Sequence, residues 1–206
     1  MKVDPDPDAR DLVSAVPTPT DAELGRLHTR LETAAQDAGV LDVAYRTIDT
    51  PVGPLLLAAT ERGLARVAFA AEGTDAVLAS IAARISARIL HAPRRLDESA
   101  RQLDEYFEGR RHGFDLPLDL VLSSGFRRIV LAQLQQIGYG NTATYAAVAV
   151  AAGSPRAVRA VGTACATNPL PVVVPCHRVV RSDGSIGQYL GGVDAKRALL
   201  RLESGG

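Results

Sequence analysis

Tryptophan is missing from this chain, methionine occurs once and cysteine twice in 206 residues. Two cysteines, Cys165 and Cys176, make no disulfide framework, and their spacing fits no metal-ligand set. The histidines at positions 28, 91, 112 and 177 are scattered, so no metal and no cofactor are expected. No apolar run is long enough to span a membrane, and the N-terminus is acidic and proline-rich rather than a charged-then-apolar leader, which points to a soluble cytoplasmic protein. An excess of one charge is also lacking, since the formal net charge is zero. The charge is unevenly spread, however. From Asp119 onward there are nine Arg or Lys against four Asp or Glu, and before it fourteen against nineteen. A basic half beside an acidic half suits a face that meets a polyanion, although ordinary surface charge accounts for it too.

What is present is a 47% hydrophobic composition, enough for one large or two small domains. Residues 1–19 carry repeated Asp-Pro and Pro-Thr and read as a disordered tail. Thr20 and Glu23 form a capping box for a helix with Leu24, Leu27 and Leu31 on one face, stopped at Gly39. Residues 43–48 alternate as a strand, and 55–60 and 64–69 form a hairpin about a turn at Gly63. An Ala-rich amphipathic helix is expected over 74–90, and a second, capped by Asp97, runs to Phe107. Tyr106 and Phe107 are expected in its core, and no chemical constellation is visible in this region. After an extended crossover at 114–122, helices are expected over 126–137, 145–152 and 156–167, the last two joined by a tight turn at Gly153 to Pro155. Helix, short glycine-containing turn, helix is the helix-turn-helix pattern. A final helix covers 195–203. The expected fold class is thus α+β. A tail and helix at 1–40 precede a small N-terminal domain of hairpin sheet and helices at 41–118. A mostly helical C-terminal domain at 119–206 carries a winged-helix-like DNA-binding motif.

The stretch from Pro171 to Val180 draws the chemistry together. Val172 to Val174 read as a short buried strand, and Pro175 presents Cys176 at a bend beside His177 and Arg178. A lone intracellular cysteine is more often a small buried hydrophobe than a nucleophile. Its surroundings change that balance. Arg156 and Arg159, spaced by the small Ala157 and by Val158, let a helix approach a phosphate backbone. The glycine-rich stretch from Gly184 to Gly192, with Tyr189, lets backbone approach a flat ligand. Glu203 is available to orient a base, and Cys165 reads as packing. A thiolate, a neighbour to take its proton, a duplex-binding helix and a base-sized pocket are what removal of a group from an extruded DNA base requires.

Several separated motifs, in order, resemble the O6-alkylguanine-DNA alkyltransferases, also called methylated-DNA–protein-cysteine methyltransferases. They are Asn168 to Pro171, Pro175 to Val179, Tyr189 to Gly192, Gly153 to Gly162, and Thr50 to Leu55. The resemblance implies irreversible, single-turnover transfer of an alkyl group from O6-alkylguanine in double-stranded DNA, and by extension O4-alkylthymine, to Cys176. His177 would take the thiol proton through a water, and Glu203 would hold its tautomer. Tyr145 would donate to the guanine ring. Arg159 would fill the gap left by the flipped nucleotide from a helix in the minor groove, with Arg156 and Ala157 also at the DNA. Asn168 would brace the turn into the active site, Pro171 and Tyr189 would wall the pocket, and the backbones of Cys176, Val179 and Leu190 would read the base edge. A monomer is expected. Three departures stand out: Leu190 where a small or aromatic residue is frequent, Leu131 in place of a tryptophan, and no cysteine before Cys165 for a structural zinc or a cysteine-rich regulatory domain. Other classes remain. A lesion sensor would lack the acceptor, whereas Cys176 is present. A helix-turn-helix regulator would want a second DNA-reading element, and none is visible. A Cys-His hydrolase would draw its dyad from distant segments.

Overall fold

The computed structural model describes residues 19–205, so the proline-rich tail lies outside the described residues apart from its last position. The chain divides into two units between Val40 and Leu41. The first holds helix α1 (Asp21–Asp37), with Thr20 as its N-cap. The Glu23 carboxylate accepts from the Thr20 amide at 2.8 Å while Thr20 Oγ1 accepts from the Glu23 amide at 3.3 Å, which satisfies two otherwise orphaned donors. Leu24, Leu27 and Leu31 are exposed.

The second unit begins with a four-stranded sheet in the order β3-β2-β1-β4. Strands β1 (Val43–Ile48), β2 (Leu55–Thr60) and β3 (Gly63–Phe69) are antiparallel neighbours, with a bulge at Ala58/Ala59. Helix α2 (Thr74–Arg84) covers one face, and Val77 and Ile81 join Val43, Leu56, Ala58 and Ala68 in its core. The helix expected over 74–90 is therefore shorter. Its last part, Ile89–His91, is strand β4, paired in parallel with β1. An unpaired edge of β1 outweighs the alanine-rich local preference, because ladder bonds and β-branched packing both favour the strand. Asp42 fixes the turn, accepting from Ser86 Oγ at 2.5 Å and from Arg88 Nε and Nη2 at 2.8 and 2.6 Å. Helix α3 (Asp97–Phe107) follows a 3-10 turn at Pro93–Leu96. Asp97 is its first residue rather than its cap, and its carboxylate takes Arg46 Nη1 at 2.7 Å.

The free edge of β3 receives the rest of the chain. Leu64 donates to the Pro117 carbonyl at 2.8 Å and accepts from the Asp119 amide at 2.9 Å, and Val67 donates to the Pro169 carbonyl at 2.8 Å. Gly63 makes this approach feasible: at φ +134°, a Cβ there would lie 2.1 Å from the Pro117 oxygen. Helices α4 (Phe126–Leu134), α5 (Tyr145–Ala151), α6 (Val158–Ala166) and α7 (Gly192–Glu203) complete the fold. α5 and α6 are the helix-turn-helix pair, joined through Gly153 in the left-handed region at φ 72°. α6 starts two residues later than expected, because Ser154 to Ala157 closes a turn of its own, with the Ala157 amide on the Ser154 carbonyl at 2.8 Å. Arg156 and Ala157 consequently precede the helix. Leu131 is buried in α4 as packing.

Candidate active site

Val172 to Val174 do not form the expected strand. Val172 sits in the left-handed region at φ 72°, and the Val174 amide closes back on the Leu170 carbonyl at 2.7 Å. The reason is local. Pro171 and Pro175 cannot donate ladder bonds, and the Asn168 side chain supplies the partners a neighbouring strand would give. It accepts from the Leu170 amide at 3.0 Å and donates to the Val174 carbonyl at 2.8 Å. A β-branched residue with positive φ is costly and persists only where its surroundings over-determine it. The same Asn168 Nδ2 lies 3.1 Å from Cys176 Sγ, so one buried amide fixes both the turn and the thiol.

Cys176 begins a 3-10 turn, Cys176–Arg178, that leads into β6 (Val179–Val180). β6 pairs in parallel with β5 (Ala143–Thr144), and Thr144 caps α5 by accepting from the Ala147 amide at 3.1 Å. This pairing carries Tyr145, the first residue of α5, to the cysteine turn. Cys176 is 2% exposed. Burial pushes its thiol up to about 11, against the opposing pull of the Asn168 bond and the charge of Lys196. Lys196 is fully buried on α7 and donates to the Val179 carbonyl at 2.6 Å. Its ammonium is pulled down by burial and held up by the nearby Cys176.

Glu203, also on α7 and 5% exposed, is the electrostatic hub. Its Oε1 accepts from Tyr106 at 2.6 Å and Arg178 Nη2 at 2.9 Å and lies 2.8 Å from His177 Nε2; its Oε2 accepts from Arg178 Nε at 2.9 Å. Burial alone would raise this carboxyl, but the bonds from His177, Arg178 and Tyr106 outweigh it and hold Glu203 at about 2. An ionised carboxylate only accepts, so His177 carries its proton on Nε2 and presents its lone pair on Nδ1. Nδ1 is buried without a hydrogen-bond partner among the described residues. Burial lowers the His177 pKa, against the pull of Glu203, so the ring is neutral beside the cations of Arg178 and Lys196. Tyr106 is pushed far above its usual range, by burial first and then by the Glu203 charge, and stays a donor.

An adjoining cavity of about 480 Å³ is lined by Tyr145, Arg159, Cys165, Gly187, Tyr189 and Leu190, among others. Of the expected site residues, the structure brings Tyr145, Arg159, Tyr189 and Leu190 to this cavity. It gathers Cys176, His177, Asn168 and Glu203 in the buried cluster beside it. Pro171 and Val179 are buried and do not line the cavity, and Arg156 and Ala157 lie in the turn before α6. Cys165, expected only to pack, borders the cavity, and burial, then the neighbouring Cys176, pushes its thiol up to about 12. Arg178, two residues after Cys176, is 6% exposed and bound to Glu203, because a buried carboxylate needs a countercharge. The N-terminal region, where no constellation was visible, supplies Tyr106. Lys196 was missed as well. The available signal was periodicity: Lys196 and Glu203 lie seven residues apart on the helix face that buries Ala195 and Leu199, where charge is out of place.

Glu203 stabilises the fold above its unfolded pKa near 4.5, and that contribution is lost as pH falls towards its folded value of about 2. Glu203→Gln leaves buried Arg178 without its countercharge, so the variant should lose about 3–5 kcal/mol at neutral pH. In urea unfolding at several pH values, the gap to wild type should narrow between pH 4.5 and 2. Parallel curves would show that Glu203 is not ionised in the fold.

Comparison with known proteins identifies the family. Residues 43–120 match the family model for the ribonuclease-like domain of 6-O-methylguanine DNA methyltransferase, and residues 125–205 match the model for its DNA binding domain. A methylated-DNA–protein-cysteine methyltransferase of Methanosarcina barkeri is 41% identical over 159 residues, covering 77% of this chain and 96% of that protein. The constitutive enzyme of the same name from Bacillus subtilis is 37% identical over 160 residues, covering 77% and 94%. A crystal structure of Mycobacterium tuberculosis OGT in complex with DNA is similar with a TM-score of 0.70 and 37% identity, covering 79% of this chain and 93% of that one. The chain belongs to the 6-O-methylguanine-DNA methyltransferase family.

Proposed function

We propose that Cys176 is the acceptor in a direct-reversal DNA repair reaction, taking the alkyl group from O6-alkylguanine in duplex DNA. The protein is a DNA-repair methyltransferase that transfers the alkyl group to its own cysteine. Duplex DNA docks on the α5–α6 pair with α6 in the minor groove. Arg159, exposed near the start of α6, enters the base stack and the modified guanine turns into the cavity between α6 and the 184–190 loop. The ring stands against Tyr145 and Tyr189.

The chemistry then follows from the buried cluster. The Cys176 proton passes through one water to His177 Nδ1, and the resulting imidazolium is stabilised by ionised Glu203. Sγ attacks the alkyl carbon, an S–C bond forms, and the C–O6 bond breaks with its electron pair moving onto guanine. Tyr145, whose own proton is held by burial, donates to the ring as that charge develops. Lys196 stabilises the thiolate at the moment it forms and steadies the Val179 carbonyl at the base edge. The product thioether has no displaceable group, so each protein molecule acts once. O4-alkylthymine, action as a monomer and a cytoplasmic location belong to the same proposal. The observation that carries it is His177, the residue after Cys176, with Nε2 at 2.8 Å from a buried Glu203 oxygen and Nδ1 without a hydrogen-bond partner among the described residues.

Incubation with a duplex containing O6-methylguanine, followed by digestion and mass analysis, should find one methyl group on the Cys176 peptide per protein and none in Cys176→Ala. Repeated turnover, or tight binding without transfer, would contradict the assignment. Arg159→Ala should slow repair of the duplex by about 10-fold or more, the equivalent of ~1.4 kcal/mol, while leaving reaction with free O6-benzylguanine nearly unchanged. An equal loss on both substrates would remove the base-flipping role.

A further inference from the structure

The N-terminal region touches the acceptor site at two further points. Arg66, on β3, donates through Nη1 to the Val67 carbonyl at 3.0 Å, the Pro169 carbonyl at 3.3 Å and the Asn168 carbonyl at 3.5 Å. Its Nη2 is ion-paired with Glu72, whose other oxygen accepts from the Phe69 amide at 3.0 Å. Phe69, the last residue of β3, is 4% exposed and packs edge-on against Tyr189, with ring centroids 5.6 Å apart. Its ring also occupies the space over Gly191: a Cβ at that glycine would lie 2.5 Å from Phe69 Cε1. The Gly191 backbone, at φ −82° and ψ 8°, lies in a region any residue adopts. This glycine is therefore required by the ring over it and not by its own conformation.

We propose that Phe69 and Arg66 are positioning residues for alkyl transfer, through which the N-terminal sheet sets both sides of the acceptor site. Arg66 holds the turn whose Asn168 amide reaches Cys176. Phe69 holds the loop whose Tyr189 borders the base cavity and stands 6.3 Å, edge-on, from the His177 ring. Neither residue touches the reacting atoms. The bulk of Phe69 determines how far the Tyr189 loop closes over a bound base, and the Arg66–Glu72 pair fixes the strand end that carries Phe69. The N-terminal region thereby shapes the base pocket in addition to supporting the fold.

This inference rests on the proposed alkyl transfer, and its test separates the two. Wild type, Phe69→Leu, Gly191→Ala and the double variant are compared in single-turnover reactions over a range of free O6-benzylguanine concentrations. Thermal melting and affinity for an unmodified duplex are followed in parallel. A displaced loop should raise the half-saturating concentration by about 3- to 10-fold in each single variant, the size expected for one aromatic contact. The limiting rate and the duplex affinity should stay near wild type. Phe69→Leu vacates the space that the Gly191→Ala methyl needs, so the double variant should recover part of the loss, a coupling that independent destabilisation does not produce. Arg66→Lys keeps the charge but loses the fork. It should shift the pH profile of the reaction to higher pH, because a displaced Asn168 amide stabilises the thiolate less. Wild-type saturation in folded Phe69→Leu and Gly191→Ala would overturn the inference, as would losses that only follow melting temperature without recovery in the double variant. If wild type itself gains no benzyl group on Cys176, the alkyl-transfer assignment fails, and this inference falls with it.

Discussion

A carboxylate out of water must be fully paired or it unfolds its surroundings, and Glu203 imposes that condition on this protein. Four side-chain bonds converge on its two oxygens, from Tyr106 on α3, from both ends of the Arg178 guanidinium and from His177. Satisfying it brings together the end of α7, the last helix of the N-terminal region and the cysteine turn. The chemistry is a by-product of the same constraint. A carboxylate that can only accept leaves His177 a single choice of tautomer, and the ring nitrogen that remains keeps its lone pair.

Two buried cations limit how far this charge spreads. Arg178 neutralises Glu203, and Lys196 lies on the thiol side, bonded to the Val179 carbonyl. The thiol itself is protonated at rest, since burial holds it at about 11. A protonated, buried cysteine is protected from adventitious alkylation and oxidation. Activation is deferred until a base fills the cavity and the proton has somewhere to go, which suits an acceptor that is consumed in one event.

The sequence made much of this architecture legible, and the exceptions share one cause. Helix ends marked by caps and periodicity, such as Thr20 for α1 and the apolar face of α3, depend on near neighbours and were readable. So was the cysteine turn as a place, though not its conformation: the run of valines reads as strand, and only the long-range view shows that Asn168 takes over the ladder. Ile89–His91 became a strand because β1 had an open edge forty-six residues away in sequence. The burial of Lys196 and the bond of Tyr106 to Glu203 were hidden for a similar reason, since partner choice is a tertiary property. Glu203 is a candidate to orient a base from its place on the last helix, but its pairing with His177 came only through the family resemblance. Spacing alone places an acidic residue at a helix end, where solvent is its usual environment. Phe69 and Gly191 have no local signature at all, because each is explained by the other.

The protonation state of His177 tests the account most directly, since everything from Glu203 to the acceptor runs through it. Nitrogen-15 NMR of the imidazole through a pH titration reads both the tautomer and the charge. The account predicts a neutral ring with its proton on Nε2, persisting below the ordinary imidazole value of 6.5, and loss of that preference in Glu203→Gln. An imidazolium at neutral pH, or a proton resident on Nδ1, would contradict it.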